Sequence, residues 1–352
     1  MSHATGVVGE EGVKIPSLRD VARAAGVSVS TASRVLSGSS HPVSEPTRRR
    51  VLEAAERLGF EPNRLARALA TARSRTIGVV VHDVSDPYYA EIVRGLEDAA
   101  GSRDHALFVS SSDRDVDKEL AVLRAFVANQ VDAIVLVASA IDDPRYLAEA
   151  SAILDRFRAL GGVVMTMSEH GYAAPRLGYE NRAGTRLVVT HLLDLGHRRI
   201  GYIAGPPDLL VTRVRQRGYE EAMTELGLGV DPELVVTGDF TIEGGARAAE
   251  RLLRAEPTAI VAANDMMAIG AIRHLLDVGK RVPGDVSVAG FDDIEFAAYA
   301  AVPLTTVHVP LGELGQLGGR LVLDLLDGNP PEEWPRIDAR LVVRESTAAP
   351  PT

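Results

Sequence analysis

Two periods of apolar residues divide the chain. From Thr76 onward, short runs of consecutive apolar residues alternate with stretches where apolar positions recur every three to four residues. The runs Thr76–Val81, His105–Ser110, Ala133–Val137 and Gly162–Thr166 are short and near-continuous, the pattern of strands buried on both faces. Between them the helical period predicts helices over about Tyr88 to Ser102 and Asp115 to Asn129, and a further one before Gly162. Strand and helix alternate in units of about 25 to 30 residues, which predicts an open parallel α/β sheet with right-handed crossovers. After Tyr179 the alternation restarts. A helix from about Arg182 leads to Arg199–Ala204, a helix around Gln216 to Leu226 to Leu234–Val236, and a helix around Glu243 to Arg254 to Thr258–Ala262. A helix after Asn264 then leads to Val286–Gly290. A pattern that runs twice predicts two similar lobes facing one another. Thr305–Val309 is expected to return the chain to the first lobe and Arg340–Val343 to cross back, making a hinge around a cleft.

Before residue 60 the period is helical throughout. Ser17 and Asp20 have the spacing of a capping box, and Val21, Ala22 and Ala25 form an apolar stripe. Gly26 can take the positive φ that turns the chain, and Ser28 can cap a second helix. That helix points Ala32, Val35 and Leu36 inward and leaves a small, polar, singly basic face of Val29, Ser30, Ser33 and Arg34. A hairpin inside an ordinary core would have little use for such a face. A helix-turn-helix, whose second helix enters a DNA major groove, requires one. Ser44-Glu45-Pro46 opens a third helix with a cap, in which Val51, Leu52, Ala55 and Leu58 recur and Gly59 ends the element.

Charge sharpens this division. The chain of 352 residues carries a net −10, which by itself argues against nucleic acid, but residues 1–75 hold 12 Lys+Arg against 7 Asp+Glu. A head at +5 therefore sits on a body at −15, and only the head suits phosphate. The absence of cysteine excludes disulfides, thiolate metal sites and a cysteine nucleophile. No apolar run reaches the ~18 residues of a membrane span, and residues 1–14 read as a flexible, slightly acidic tail rather than an export signal. A cytoplasmic protein is expected.

In open α/β sheets ligands lie at the carboxyl ends of the strands. Those ends supply His82, Asp83, Tyr88 and Tyr89 from the first lobe, and Arg215, Phe240, Asn264 and Asp292 from the second. Arg, Asn and Asp suit paired hydroxyls, and the aromatic rings suit the C–H face of a sugar. Arg213 reads as interlobe or loop structure, and Asp293 as a helix or turn cap. An enzyme is disfavoured: no G-x-G-x-x-G follows a strand, the nine histidines are scattered, and no nucleophile elbow is present. No catalytic residue, metal or cofactor is expected.

At this point the chain strongly resembles the lactose-repressor/galactose-repressor (LacI/GalR) family of transcription factors. The pattern D-V-A-x-x-A-G-V-S-x-x-T-x-S-R-V-L is carried by Asp20 to Leu36, and P-N-x-x-A-x-x-L by Pro62 to Leu69. In the body, Arg213-x-Arg215-x-x-Gly218-Tyr219, Ala263-Asn264-Asp265 and Gly290-Phe291-Asp292-Asp293 look like family signatures, although Glu180-Asn181 replaces the more usual Asp-Asn. The resemblance extends over essentially Ser17 to Thr347. It implies a small all-α helix-turn-helix DNA-binding head with a hinge helix, joined to an α/β two-lobed periplasmic-binding-protein-like core of parallel doubly wound sheets. The implied boundaries are 15–61 for the head, 62–75 for the hinge, and 76–347 for the core. Its first lobe takes about 76–177 and 311–338, its second about 178–310 and 339–347.

The resemblance also implies roles. Val29, Ser30 and Arg34 would read base edges, Arg34 pairing with guanine O6 and N7. Thr31, Ser33, His41 and Asn63 suit phosphate, and in the hinge Ala66 and Leu69 would meet the minor groove, Leu69 as an apolar wedge. Arg215, Asn264 and Asp292 match the family's effector contacts. The expected protein is a homodimeric repressor of double-stranded DNA with a pseudo-palindromic operator, controlled by a small sugar or sugar derivative. A corepressor of opposite sign, or a plain sugar receptor, are the alternatives. No apolar heptads follow Thr347, so a tetramerising coiled coil is not expected.

Overall fold

A computed structural model of the chain describes residues 16–36, 41–60 and 73–351. The expected tail and nearly all of the hinge, with Asn63, Ala66 and Leu69, lie outside the described residues. The chain divides into two compact units, one ending at Ser74 and the other beginning at Arg75.

The first unit packs three helices, α1 (Leu18–Ala25), α2 (Val29–Leu36) and α3 (Glu45–Leu58). Ser17 and Asp20 form the expected reciprocal cap: the Asp20 carboxylate accepts the Ser17 N–H at 3.0 Å, and the Ser17 hydroxyl faces the Asp20 N–H at 3.4 Å. Gly26 ends α1 at φ 65, where a side chain would be strained. The Ser28 hydroxyl caps α2 by accepting the Thr31 N–H at 3.1 Å. Val21, Ala22, Ala25, Ala32, Val35, Val51, Ala54 and Ala55 close the core. Alanine at five of these eight positions lets the helices approach closely. Two expectations are corrected. Leu52 is 48% exposed, and Ala54 takes the inward place. Ser44 does not cap α3 through its side chain, because its hydroxyl donates to Thr47 Oγ1 at 2.9 Å instead of accepting a backbone N–H.

The second unit contains two parallel four-stranded sheets of the same order. The first runs β2-β1-β3-β4, with β1 (Thr76–Val81), β2 (Ala106–Ser111), β3 (Ala133–Leu136) and β4 (Val163–Thr166). The second runs β6-β5-β7-β8, with β5 (Ile200–Ala204), β6 (Val235–Thr237), β7 (Ala259–Ala262) and β8 (Ser287–Ala289). Helices α4 (Pro87–Gly101), α5 (Val116–Ala128) and α6 (Pro144–Ala159) connect the first sheet. α7 (Asn181–Asp194) leads into the second sheet, which α8 (Leu210–Glu225), α9 (Ile242–Leu252) and α10 (Asp265–Asp277) connect. The central strands β1, β3, β5 and β7 are buried along their length, as their unbroken apolar runs require. The helix expected around Gln216 begins six residues earlier, at Leu210. No side chain caps that end, so nothing in the local pattern marks it.

After the short α11 (Glu295–Ala298), β9 (Thr306–His308) pairs antiparallel with β10 (Arg340–Val342). Between them α12 (Leu311–Leu326) packs on α4 of the first lobe. The two helices cross backbone to backbone. A Cβ at Gly95 would lie 2.3 Å from the Gly312 carbonyl oxygen, and one at Gly315 would lie 2.1 Å from that of Ile92. After β10 the chain docks on the second sheet, where the Ser346 hydroxyl donates to the Val288 carbonyl at 2.6 Å.

Candidate effector cleft and DNA-reading helix

On α2 the outward face is as expected: Val29 is 44% exposed, and Ser30, Ser33 and Arg34 are exposed beside it. Thr31 is half-buried and its hydroxyl lies 2.8 Å from that of Ser28, so this side chain supports the cap as well as facing outward. His41 is exposed.

In each sheet the strand order reverses direction between the first strand and its later neighbour, and at such a switch point the carboxyl ends open a crevice. The two crevices face each other across one cavity of about 40 Å³. All seven sequence-derived candidates, His82, Tyr88, Tyr89, Arg215, Phe240, Asn264 and Asp292, line it. Asp83 does not; it is exposed, and its carboxylate accepts the Ser85 N–H at 2.8 Å. Lining residues that the sequence reading missed are Asp86, Arg114, Ser139, Ser168, Tyr179, Leu209 and Val211. A larger groove of about 770 Å³ runs along α7 past Arg182, Arg186 and Leu341, but no buried polar groups converge there.

Arg215 organises the second-lobe wall. Its guanidinium is 4% exposed and donates to Asn181 Oδ1 at 2.8 Å, Tyr179 Oη at 2.8 Å, Asp292 Oδ1 at 2.9 Å and the Ala263 carbonyl. The Phe291 ring lies beneath it at 3.9 Å. Burial opposes the Arg215 charge, but Asp292 and the tyrosines around it leave its pKa raised. Burial also pushes the Asp292 carboxyl up, to about 7, against the pull of Arg215. Asp292 holds φ 111, a left-handed backbone that the pair must offset. Asn264 caps α10 by accepting the Met267 N–H at 3.0 Å and donates to the Phe240 carbonyl at 3.2 Å. Asp293 is not a helix or turn cap: its carboxylate pairs with Arg344 at 2.7 Å and with His308 Nδ1 at 2.8 Å. The Arg344 guanidinium and the His308 ring, both half-buried, occupy the carboxylate in place of a backbone N–H.

The first-lobe wall is different. Tyr88 and Tyr89 pack edge to face at 4.8 Å, with Tyr88 Oη 3.2 Å from Tyr179 Oη. His82 is 2% exposed; its Nδ1 meets Ser112 Oγ at 3.2 Å, and its Nε2 has no hydrogen-bond partner. Burial, helped by the charge of Arg114, holds the His82 pKa down near 3, so the ring is neutral. Arg114 stands at φ 58 with its buried Nε unpartnered, and its guanidinium lies 5.6 Å from the centre of Phe240, which is itself at φ 65. At the rim the lobes are stitched together. Ile141 and Leu209 form an antiparallel bridge, the Leu210 N–H donates to the Ala140 carbonyl at 3.1 Å, and the Val211 N–H donates to Ser139 Oγ at 3.1 Å. Arg213 pairs with Asp142 across this rim, as its interlobe reading expected.

A helix-turn-helix head on a two-lobed receptor with a polar, aromatic-lined cleft defines a ligand-responsive DNA-binding regulator. The chain belongs to the lacI family of bacterial regulatory proteins. Residues 17–63 match the family described as "Bacterial regulatory proteins, lacI family", and residues 189–347 match "Periplasmic binding protein-like domain". It is 34% identical to catabolite control protein A of Priestia megaterium over 87% of this chain and 91% of that one. It is 33% identical to the HTH-type transcriptional repressor CytR of Escherichia coli (strain K12) over 95% and 97%. The Lac repressor dimer bound to operator and the anti-inducer ONPF superposes with a TM-score of 0.84 at 30% identity, covering 96% of this chain and all of that one. The transcriptional regulator CelR–cellobiose complex gives 0.68 at 33% identity, covering 94% and 99%.

Proposed function

We propose that this chain is a dimeric repressor that grips a pseudo-palindromic operator and releases it when a small sugar or sugar derivative binds between the two lobes. The observation that carries this reading is the convergence of Arg215, Asp292 and Asn264 with Tyr88, Tyr89 and Phe240 on one cavity, in a chain headed by a helix-turn-helix. Planar polar groups beside aromatic faces are what a sugar ring asks of a protein. The CelR relative, described in complex with cellobiose, supports the same class.

In the head, Val29, Ser30 and Arg34 read bases. Thr31, Ser33, His41 and Asn63 hold phosphates. Ala66 and Leu69 act in the minor groove, Leu69 as the wedge. The cavity of about 40 Å³ holds a few waters, far short of a sugar ring, so an effector enters only as the rim parts. Binding thus changes the relation of the lobes, and operator affinity changes by the difference in effector affinity between the two arrangements. The role is regulation, not turnover, and it is exercised in the cytoplasm. Among the described residues no helix is long and apolar enough to cross a membrane.

The test is a thermal-shift screen of the full chain against mono- and disaccharides and their phosphates, followed by gel shifts at fixed salt with and without any hit. A hit that weakens the retained complex supports the proposal. A hit that strengthens it reverses the sign to corepression, and a chain that retains no duplex at low salt ends the reading.

A further inference from the structure

Outside the cleft, a second concavity lies between two of the segments that carry the chain from one lobe to the other. One segment follows β4 and leads into α7; the other follows α12 and leads into β10. A parallel bridge between Tyr179 and Ile337 holds them together, and they border an open groove of about 570 Å³. Small-molecule sites usually span about 300–1,000 Å³, so this one is large enough for a ligand. Trp334, the chain's only tryptophan, lines the groove half-buried. Glu180, Glu333 and Arg336 line it too. Among the described residues, none of these three charged side chains has a hydrogen-bond partner or an ion pair within 4.0 Å. Glu180 stands at the N-cap position of α7, yet its side chain caps nothing. Aspartate, more usual there in the family, is short enough to reach the N–H groups of the first turn. The longer Glu180 leaves its carboxylate free. Arg176 gives both terminal nitrogens to Glu169, at 2.7 and 2.8 Å, and its Nε–H has no acceptor among the described residues. A Cβ at Gly178 would lie 3.2 Å from that nitrogen, so glycine leaves it uncovered.

We propose that this groove is a second ligand site, which takes a neutral mono- or disaccharide stacked on Trp334. Hydroxyls both donate and accept, so one polyol can satisfy Glu180, Glu333, Arg336 and the Arg176 Nε–H together. The indole face meets the apolar C–H side of the sugar ring. An anionic substituent would face two glutamates, and a lone cation would face Arg336. The effector cavity of about 40 Å³ admits a sugar only as its rim parts, whereas this groove is already open. Tyr179 joins the two. Its backbone belongs to one bank of the groove, and its hydroxyl accepts from Arg215 at 2.8 Å inside the cleft. A sugar wedged between two crossing segments resists their relative movement. Its occupancy therefore changes the affinity of the cleft, and by linkage a ligand in the cleft changes that of the groove by the same factor.

The groove shares a ligand class with the proposed effector cleft but is a separate site, and the experiment tells them apart. The full chain is titrated with neutral aldohexoses and glucose disaccharides, followed by tryptophan emission and by calorimetry. Because the chain has one tryptophan, its emission reports on the surroundings of Trp334 alone. The variants are Glu180→Asp, Arg336→Gln, Trp334→Phe and Arg215→Ala, with retained operator binding as the check that each is folded. Glu180→Asp supplies a better cap for α7, so weaker binding in it does not come from an unravelled helix. A saturable change in emission is expected in wild type, and it should persist in Arg215→Ala, where the cleft has lost its anchor. Calorimetry should find one more sugar per chain in wild type than in Arg215→Ala. Glu180→Asp and Arg336→Gln should each weaken the emission-detected Kd roughly tenfold, about what one charge-assisted hydrogen bond supplies. Trp334→Phe should lose the groove step in calorimetry and keep the cleft step. An emission change that vanishes in Arg215→Ala reports closure of the cleft; it overturns the groove site and leaves the effector reading standing. Emission that is indifferent to sugars or never saturates, or a Kd untouched by Glu180→Asp and Arg336→Gln, overturns it equally. A groove step without any cleft step supports this site and ends the effector reading. No sugar binding to wild type overturns both.

Discussion

The two walls of the cleft are built from sheets of the same strand order and yet are prepared differently. The second-lobe wall is finished: Arg215 spends its donors on Asn181, Tyr179, Asp292 and Ala263, and Asn264 is held at both ends of its amide. The first-lobe wall leaves His82 Nε2 and Arg114 Nε unpaired. One wall thus has its hydrogen bonds made within the protein, and the other keeps two buried nitrogens without a protein partner.

The largest expected effect breaks the finished wall. Arg215→Ala strands a buried Asp292 carboxylate, and removing one partner of a buried pair costs roughly 3–5 kcal/mol. Denaturant unfolding should show that loss together with loss of any sugar-induced thermal shift, while operator binding at low temperature survives. Smaller, and confined to the head, is Arg34→Ala. It should remove about 1–3 kcal/mol of discrimination between operator and scrambled duplex while leaving the ligand response intact. Gel-shift competition measures it.

The walls should also titrate in opposite directions. Asp292 has a folded pKa raised to about 7, so the native state holds the proton more tightly. Its contribution to stability grows as pH falls from about 7 towards 4. His82 has a folded pKa lowered to about 3 from 6.5, so the unfolded state takes the proton first. Stability from this group is present above about 6.5 and is lost as pH falls towards 3, by roughly 2 kcal/mol at pH 5. His82→Asn should therefore flatten the acid loss of stability, and Asp292→Asn should steepen it, in urea midpoints measured from pH 5 to 7.5. The smallest effect on stability belongs to the rim. Arg213→Gln breaks a pair whose side chains are about half exposed, and should cost under ~1 kcal/mol. It should instead speed ligand association, seen by stopped flow, because the rim is what an entering ligand must part.

Much of this was legible from local pattern. Ser17, Asp20 and Gly26 announce the first helix of the head through side chains acting on backbone within a few residues. The strands announce themselves through apolar runs that only a doubly covered sheet explains. Most effector candidates followed from the same logic, since strand ends are local and the cavity lies where they converge; Arg215 instead lies within α8, and it was the resemblance of its motif that marked it. What escaped depends on distance. Arg114 and Asp86 sit in loops whose neighbours lie in other segments, and Asp86 reads in sequence simply as the cap before Pro87. Asp293 looked like a cap because nothing nearby in sequence shows that Arg344 and His308 will reach it. Helix α8 began early because Leu209 offers no capping side chain to mark the start, while tertiary contacts across the rim do.

The crossing of α4 with α12 has a consequence for how the molecule is made. Gly95 emerges from the ribosome long before Gly312 and Gly315, so the lobe begun first is among the last to be completed. Until more than two hundred further residues have been synthesised, the Ile92-Gly95-Leu96 face has nothing to cover it. The nascent chain must shield that surface in the meantime, and a polypeptide interrupted near residue 300 would expose it permanently, a site for chaperones or for aggregation.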